Sequence, residues 1–147
     1  MKEINGDLIK LAKQGEFDII AHGCNCFNTM GAGIAKQIKE EFKDAWIADQ
    51  HTISGDINKL GTFTRVYYES KKLWVYNCYT QYRYGTDKIY LDYEALTLCM
   101  RKINHMNTIG RIGMPKIGCG LAGGDWNIVK KIMEKELELM NITIVSL

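Results

Sequence analysis

The sequence predicts an α/β domain in three layers, with a mixed and mostly parallel sheet between helices. Three observations predict it. Strand-like and helix-like segments alternate along all 147 residues, as they do when helices pack on both faces of a sheet. Phe17-Asp18-Ile19-Ile20-Ala21 is nearly continuous in apolar residues, the pattern of a strand buried on both faces. Two glycine-bearing loops, one starting at His22 and one at Pro115, each follow a strand-like run and lead into a helix-forming one. Loops at the carboxyl ends of parallel strands are where open α/β sheets bind ligands.

Taken in order, Met1 to Asn5 reads as a short edge strand. Asp7 is a helix N-cap residue, and Leu8, Leu11 and Ala12 share a face of the helix Leu8 to Lys13. After the buried strand at 17–21, Gly33 to Phe42 reads as a helix, with an extension through Trp46. Thr62 to Glu69 and Leu73 to Tyr79 are rich in β-formers, and Glu69-Ser70-Lys71-Lys72 between them reads as a hairpin turn. Leu91, Ala95, Leu98, Cys99, Lys102 and Met106 follow the spacing of a packed helix face over Leu91 to Met106. Arg111 to Ile117 is the strand before the second glycine loop. Trp126 to Met140 is a helix with Ile128, Val129, Ile132, Leu137 and Met140 inward, and Ile142 to Leu147 is a terminal strand.

Hydrophobic content of 46% and charged content of 24% are those of a globular chain. One proline, no linker-like tract and no repeat make residues 1–147 a single domain, expected to be monomeric. A net charge of +2 gives no strong signal for nucleic acid or a membrane surface. No apolar run approaches the ~18 residues of a membrane span, and Lys, Asp and Glu occur throughout the first twenty residues, unlike a signal peptide. Five scattered cysteines, an odd number, fit free thiols in a reducing cytoplasm.

The first loop reads His22-Gly23-Cys24-Asn25-Cys26-Phe27-Asn28-Thr29-Met30-Gly31-Ala32-Gly33-Ile34-Ala35. Strand, glycine-bearing turn and helix N-terminus together form the arrangement that holds phosphate with backbone N–H groups. The second loop reads Pro115-Lys116-Ile117-Gly118-Cys119-Gly120-Leu121-Ala122-Gly123-Gly124-Asp125-Trp126. Two such loops imply a pyrophosphate or nucleotide-diphosphate ligand gripped from both sides. The plainer alternative is a pair of ordinary tight turns.

With both loops placed, the chain resembles a macrodomain. The matching pieces are Asn5-Gly6-Asp7-Leu8, Ile20-Ala21-His22-Gly23-Cys24-Asn25, Met30 to Ala35, Asn77-Cys78-Tyr79-Thr80-Gln81 and Pro115 to Trp126, in register over nearly the whole length. It is most similar to the small branch holding yeast-type ADP-ribose-1″-phosphate phosphatases and terminal ADP-ribose protein glycohydrolases. The resemblance implies a macrodomain-like sheet and ADP-ribose or ADP-ribose-1″-phosphate as ligand. It implies that Asp7 and the N–H of Leu8 read adenine, although Asp7 also serves as a plain N-cap. It further implies a site built by Asn25, by Met30, Gly31, Ala32, Gly33 and Ile34 around the distal ribose and pyrophosphate, by Thr80, and by Gly118, Cys119, Gly120, Leu121, Ala122, Gly123 and Gly124 on the other side.

For chemistry, the resemblance to the phosphatase branch implicates His22 with Asp125. An imidazole titrates near neutrality and can move a proton at a leaving oxygen, and a carboxylate beside the distal ribose can orient water. The alternative is a hydrogen-bonded core histidine and an aspartate that caps the helix at Trp126. Two departures stand against the glycohydrolase route. That group has a nucleophilic lysine where this chain reads Tyr79-Thr80-Gln81, and an aspartate where it has Ala122. Hydrolysis of ADP-ribose-1″-phosphate, with neither metal nor cofactor, is therefore the favoured activity. Removal of ADP-ribose from a macromolecule or small molecule, and binding without turnover, are the alternatives.

Other patterns carry less. His22-x-Cys24-x-Cys26 lacks a fourth ligand at zinc-site spacing. Cys119 in a glycine loop is a conceivable nucleophile, but no arginine follows at the spacing of a cysteine phosphatase. The C-terminal Ile144-Val145-Ser146-Leu147 lacks the aromatic that relatives set against adenine, leaving Tyr79 or Tyr82 as substitutes. Tyr79, Tyr82, Tyr84 and Tyr90, with Arg83, read as a lid over a nucleotide pocket.

Overall fold

The computed structural model describes residues 1–106 and 110–147. Six strands form one sheet: β1 (Lys2–Asn5), β2 (Ile19–Cys24), β3 (Phe63–Tyr68), β4 (Leu73–Tyr79), β5 (Arg111–Met114) and β6 (Asn141–Ser146). Their order across the sheet is β1-β6-β5-β2-β4-β3. Every neighbouring pair is parallel except the β3–β4 hairpin. The connection in that hairpin is a single 3₁₀ turn, Glu69–Lys71, closed by Lys72 at a φ of 49°.

Helices α1 (Leu8–Lys13), α2 (Gly33–Glu41) and α3 (Lys43–Gln50) cover one face, and α4 (Tyr93–Met106) and α5 (Trp126–Glu136) cover the other. Side-chain alternation along the strands divides the core accordingly. Ile19 and Ala21 of β2, with Tyr76 and Cys78 of β4, pack with Leu96, Met100, Val129 and Met133 of α4 and α5. Ile20 and Val75 pack with Leu8, Ala12, Ile38 and Ala45 on the opposite side. Central strands buried on both faces explain why 17–21 and 73–79 read as apolar runs rather than alternating ones.

Several element limits differ from the sequence reading. The buried strand starts at Ile19 and continues through His22 and Gly23 to Cys24, because β4 pairs with it along that whole length, His22 opposite Asn77. Phe17 lies before the strand, its ring filling the space beside Gly113. The extension through Trp46 is a separate helix, since Phe42 leaves helical geometry at φ −129° and ψ 70° while burying its ring against Tyr68. Leu91 precedes α4, whose start is capped by Asp92 Oδ1 accepting from Ala95 N at 3.0 Å. The strand before the second loop ends at Met114, and α5 ends at Glu136. Ile128 is 43% exposed, so the inward face of α5 rests on Val129 and Met133.

Candidate functional site

Strands β2, β4 and β5 are parallel neighbours, so their carboxyl ends open on one edge of the sheet. There the loops after each strand enclose a cavity of about 700 Å³. The end of β2, the loop after it and the first turn of α2 contribute Gly23, Cys24, Asn25, Thr29 and Gly31 to Ala35. The loop after β5 contributes Pro115 to Gly118 and Gly120 to Ala122, and the segment after β4 contributes Gln81, Tyr84, Gly85 and Thr86. Lys116 is the one charged side chain among these, and no carboxylate or imidazole of the described residues lines the cavity.

The helix starts differ in a way that bears on anions. Helices α1, α4 and α5 each begin at an aspartate whose carboxylate accepts from the first turn: Asp7 from Lys10 N, Asp92 from Ala95 N, Asp125 from Asn127 N. Helix α2 begins at Ala32, which has no capping side chain. The first N–H groups of a helix have no intrahelical partner, and in α2 the residues that carry them, Gly33, Ile34 and Ala35, line the cavity. The helix dipole adds partial positive charge at the same end.

The loop before α2 is closed by its own hydrogen bonds. Asn25 Oδ1 accepts from Phe27 N at 2.8 Å, and its Nδ2 donates to Thr29 O and Oγ1. The Asn25 amide thus shapes the loop from within. Met30 is buried beneath the loop with Cys24, Cys26 and Tyr79.

The glycines of the second loop divide into two groups. Gly120 lines the cavity, and a Cβ there, as at Gly31 and Gly33, would meet nothing within 4 Å. A Cβ at Gly124 would lie 2.5 Å from Leu91 Cδ2 and 2.7 Å from Gly118 O, and one at Gly118 would meet Leu91 as well. This part of the loop is stitched to the segment before α4, with Tyr90 N and Leu91 N both donating to Ala122 O. Gly124 serves that packing, Gly123 closes a turn onto Gly120 O at a φ of 75°, and both lie outside the cavity wall. Gly124→Ala is accordingly expected to lower stability by roughly 1–3 kcal/mol, the range for overpacking, in a denaturant melt. An unchanged midpoint would show that Leu91 moves aside freely.

The residues expected from sequence are only partly brought together. Asn25, Gly31, Ala32, Gly33, Ile34, Gly118, Gly120, Leu121 and Ala122 line one cavity. Asp7, Leu8, Met30, Thr80 and Cys119 are not in its wall; Asp7 caps α1 and Leu8 is buried in the core under it. Thr80 is buried beside Gly23, where a Cβ on the glycine would lie 2.8 Å from Thr80 Oγ1. Burial pushes the Cys119 thiol up to about 11, against any nucleophilic role at neutral pH.

His22 and Asp125 are also outside the wall and are not joined. The His22 ring is buried, and Nε2–H donates to Asn77 Oδ1 at 2.7 Å. Asn77 fixes the tautomer, because its Nδ2 donates to Ala45 O and Thr64 Oγ1 and so turns Oδ1 to the ring. Nδ1 is left as the acceptor nitrogen; Cys24 Sγ lies 3.8 Å from it and 3.7 Å from Nε2, and Cys24 does line the cavity. Burial lowers the imidazole to about 4 against the opposing effect of Asn77, so the ring is neutral at pH 7. Asp125 is exposed at the start of α5, with its carboxylate accepting from Asn127 N at 2.8 Å.

Of the lid tyrosines, Tyr84 lines the cavity and is 60% exposed. Tyr79 is buried with its hydroxyl donating to Asp49, and Tyr82 packs on Phe27 and donates to Gly55 O, so neither offers a free face. Tyr90 donates to Asp87. Among the cavity-lining residues not expected from sequence to bind are Thr29, Gly85, Thr86 and Lys116. The parallel pairing of β4 with β2 is what brings the 81–86 segment alongside, and pairing partners are not encoded locally.

Among the described residues no helix is long and apolar enough to cross a membrane, and no group of three or more His, Cys, Asp or Glu side chains could hold a metal ion.

Comparison with known proteins bears on the same residues. The family model that matches is "Macro domain", over residues 21–133. An uncharacterised 17.5 kDa protein of Enterobacteria phage T4 is 37% identical over 153 residues, covering 99% of this chain and 96% of the phage protein. An ADP-ribose 1″-phosphate phosphatase of Meyerozyma guilliermondii is 24% identical over 170 residues, with 97% of each chain covered. An ADP-ribose glycohydrolase of Homo sapiens is 28% identical over 142 residues, covering 96% of this chain and 86% of the human one. Among solved structures, Thermosipho africanus DarTG in complex with ADP-ribose superposes with a TM-score of 0.75 at 19% identity, over 100% of this chain and 42% of that one.

Proposed function

The chain belongs to the Macro domain family, and on that premise we propose that it binds ADP-ribose and hydrolyses ADP-ribose-1″-phosphate to ADP-ribose and phosphate. One observation carries the binding: α2 and α3 both start without a capping side chain, and of the two it is α2 whose first turn lines the cavity. A diphosphate placed there completes the N–H groups that an aspartate satisfies in α1, α4 and α5. The facing loop, with Gly118, Gly120 and Lys116, closes on its other side. The cavity, about 700 Å³, falls within the ~300–1,000 Å³ usual for small-ligand sites.

Relatives named as an ADP-ribose 1″-phosphate phosphatase and an ADP-ribose glycohydrolase support turnover. Ala122 in the wall, and the absence of a lysine from Tyr79-Thr80-Gln81, favour the phosphatase over a covalent route. In this reading His22 acts as a neutral acceptor behind Cys24 rather than as an acid, since its imidazole is held near 4.

Phosphate release from ADP-ribose-1″-phosphate, measured with EDTA present to silence contaminating metallophosphatases, tests the proposal. Wild type is expected to release phosphate. Asp125→Asn is expected to keep its rate within about threefold, because Asn caps a helix nearly as well as Asp. A loss of ~10²–10⁴ in that variant would instead give the carboxylate the water-activating role that its sequence position implies. A second reading, binding without turnover, is favoured by the lack of any carboxylate or imidazole in the cavity wall. It predicts tight ADP-ribose binding with no phosphate released.

A further inference from the structure

A lysine is almost never buried unless its charged end is held. Lys59, at the end of the 3₁₀ turn Ile57–Lys59, is only 7% exposed. Its Nζ donates to Cys26 O at 3.0 Å and to Asn28 Oδ1 at 2.6 Å, and lies 4.9 Å from the centre of the Tyr79 ring. Both acceptors belong to the loop between β2 and α2, the loop that leads into the uncapped helix start. None of the four ion pairs among the described residues includes Lys59. Its nearest partners are therefore carbonyl oxygens and an aromatic face, while at longer range its charge lowers the buried Asp49 carboxyl.

The loop needs holding at this point. Asn28 sits at φ 59°, a left-handed conformation that residues with a Cβ adopt at a cost. Four groups from the end of α3 and the connection to β3 pin it. Lys59 and the Thr52 hydroxyl donate to Asn28 Oδ1, Asn28 Nδ2 donates to Thr52 O, and Gln50 Nε2 donates to Asn28 O. Gly55 N also donates to Cys26 O. Lys59 is the sole charged member of this clamp. Its charge also reaches the cavity wall: burial and Asp49 raise the Cys24 thiol well above its ordinary value, and Lys59 pulls against them.

We infer that Lys59 is a positioning residue of the anion site, acting from behind the loop by fixing the backbone between β2 and α2. The inference rests on the reading that the cavity takes a diphosphate. Lys59 differs in kind from Lys116, the exposed cation of the wall. Salt screens an exposed charge strongly and a buried one much less. The two lysines should thus separate by ionic strength.

Calorimetric titration of ADP-ribose and of inorganic pyrophosphate into wild type, Lys59→Met, Lys116→Met and Asn104→Ala tests this, at about 0.05 M and about 0.5 M salt. Asn104 is the stability control. It is buried on α4, accepts from Leu139 N, and is outside the cavity wall. Lys59→Met is expected to weaken both ligands at least tenfold at either salt, while the effect of Lys116→Met fades at high salt and Asn104→Ala lowers Tm without changing affinity. Wild-type affinity in Lys59→Met, or an equal loss in Asn104→Ala, overturns the inference while leaving the ADP-ribose reading intact. Binding of pyrophosphate but not ADP-ribose to wild type overturns that reading, and the Lys59→Met comparison with pyrophosphate then decides the inference alone. Binding of neither ligand overturns both. Should Lys59→Met fail to fold, Asn28→Ala removes the loop partner of the amine and is expected to weaken both ligands at least fivefold; unchanged affinity there also overturns the inference.

Discussion

Gly33→Val is expected to cost at least about 100-fold in ADP-ribose affinity, about 2.7 kcal/mol, while the protein still folds. Gly33 is the first residue of α2, lines the cavity and has a φ of 57°. A Cβ there would meet no protein atom within 4 Å, so the fold itself has room for it. The branched side chain would stand instead at the helix start where a diphosphate approaches the N–H groups. A left-handed φ in a residue with a Cβ costs roughly 1–2 kcal/mol of stability, less than a domain of this size is expected to have in reserve. Calorimetry and a thermal melt on the same preparation separate the two effects. A folded Gly33→Val protein with wild-type affinity would move the diphosphate away from α2.

The second large effect concerns acid. His22 is held near 4 in the folded protein, chiefly by burial, against about 6.5 for a free imidazole. The unfolded chain therefore binds the extra proton between those values, and stability rises with pH across that window. Stated from the other side, the neutral buried ring contributes stability that is fully present above pH 6.5 and is lost as the pH falls toward 4. A difference of about 2.5 units corresponds to an upper figure of about 3 kcal/mol. Asp49 acts in the opposite sense, because burial raises its carboxyl, so the wild-type curve alone does not isolate the histidine. Denaturant melts from pH 7 to pH 4 are expected to show a steeper loss in wild type than in His22→Gln, which keeps a donor for Asn77 Oδ1 and has no titrating ring. Parallel curves for the two proteins would remove His22 as the source.

The same histidine shows how the sequence reading went astray at the site. The strand was expected to stop at Ala21, with His22 as the first residue of the ligand loop. Pairing with β4 carries the strand to Cys24. Side chains alternate along a strand, so His22 takes the same side as Ile20 and turns under the helices that cover it, where Asn77 meets it. Period-two reasoning extended three residues further would have found this. Asp125 is a simpler case, since an aspartate directly before a helical run is a cap in the structure, as its local sequence allows.

What the sequence determined by itself is the set of local features. Apolar runs and helical spacing placed the strands and helices within a few residues, the aspartates at 7 and 125 marked two helix starts, and the glycine loops marked both walls of the cavity. These follow from interactions within a few residues of chain. The tertiary structure alone decided the rest. It set β4 beside β2, which brought Gln81, Tyr84, Gly85 and Thr86 into the wall. It packed Leu91 against Gly118 and Gly124, turning part of a ligand-like glycine loop into a packing joint. It also buried His22 and Lys59 behind the site. Strand pairing, burial and electrostatic environment depend on groups distant in sequence, and no local pattern specifies which of them will meet.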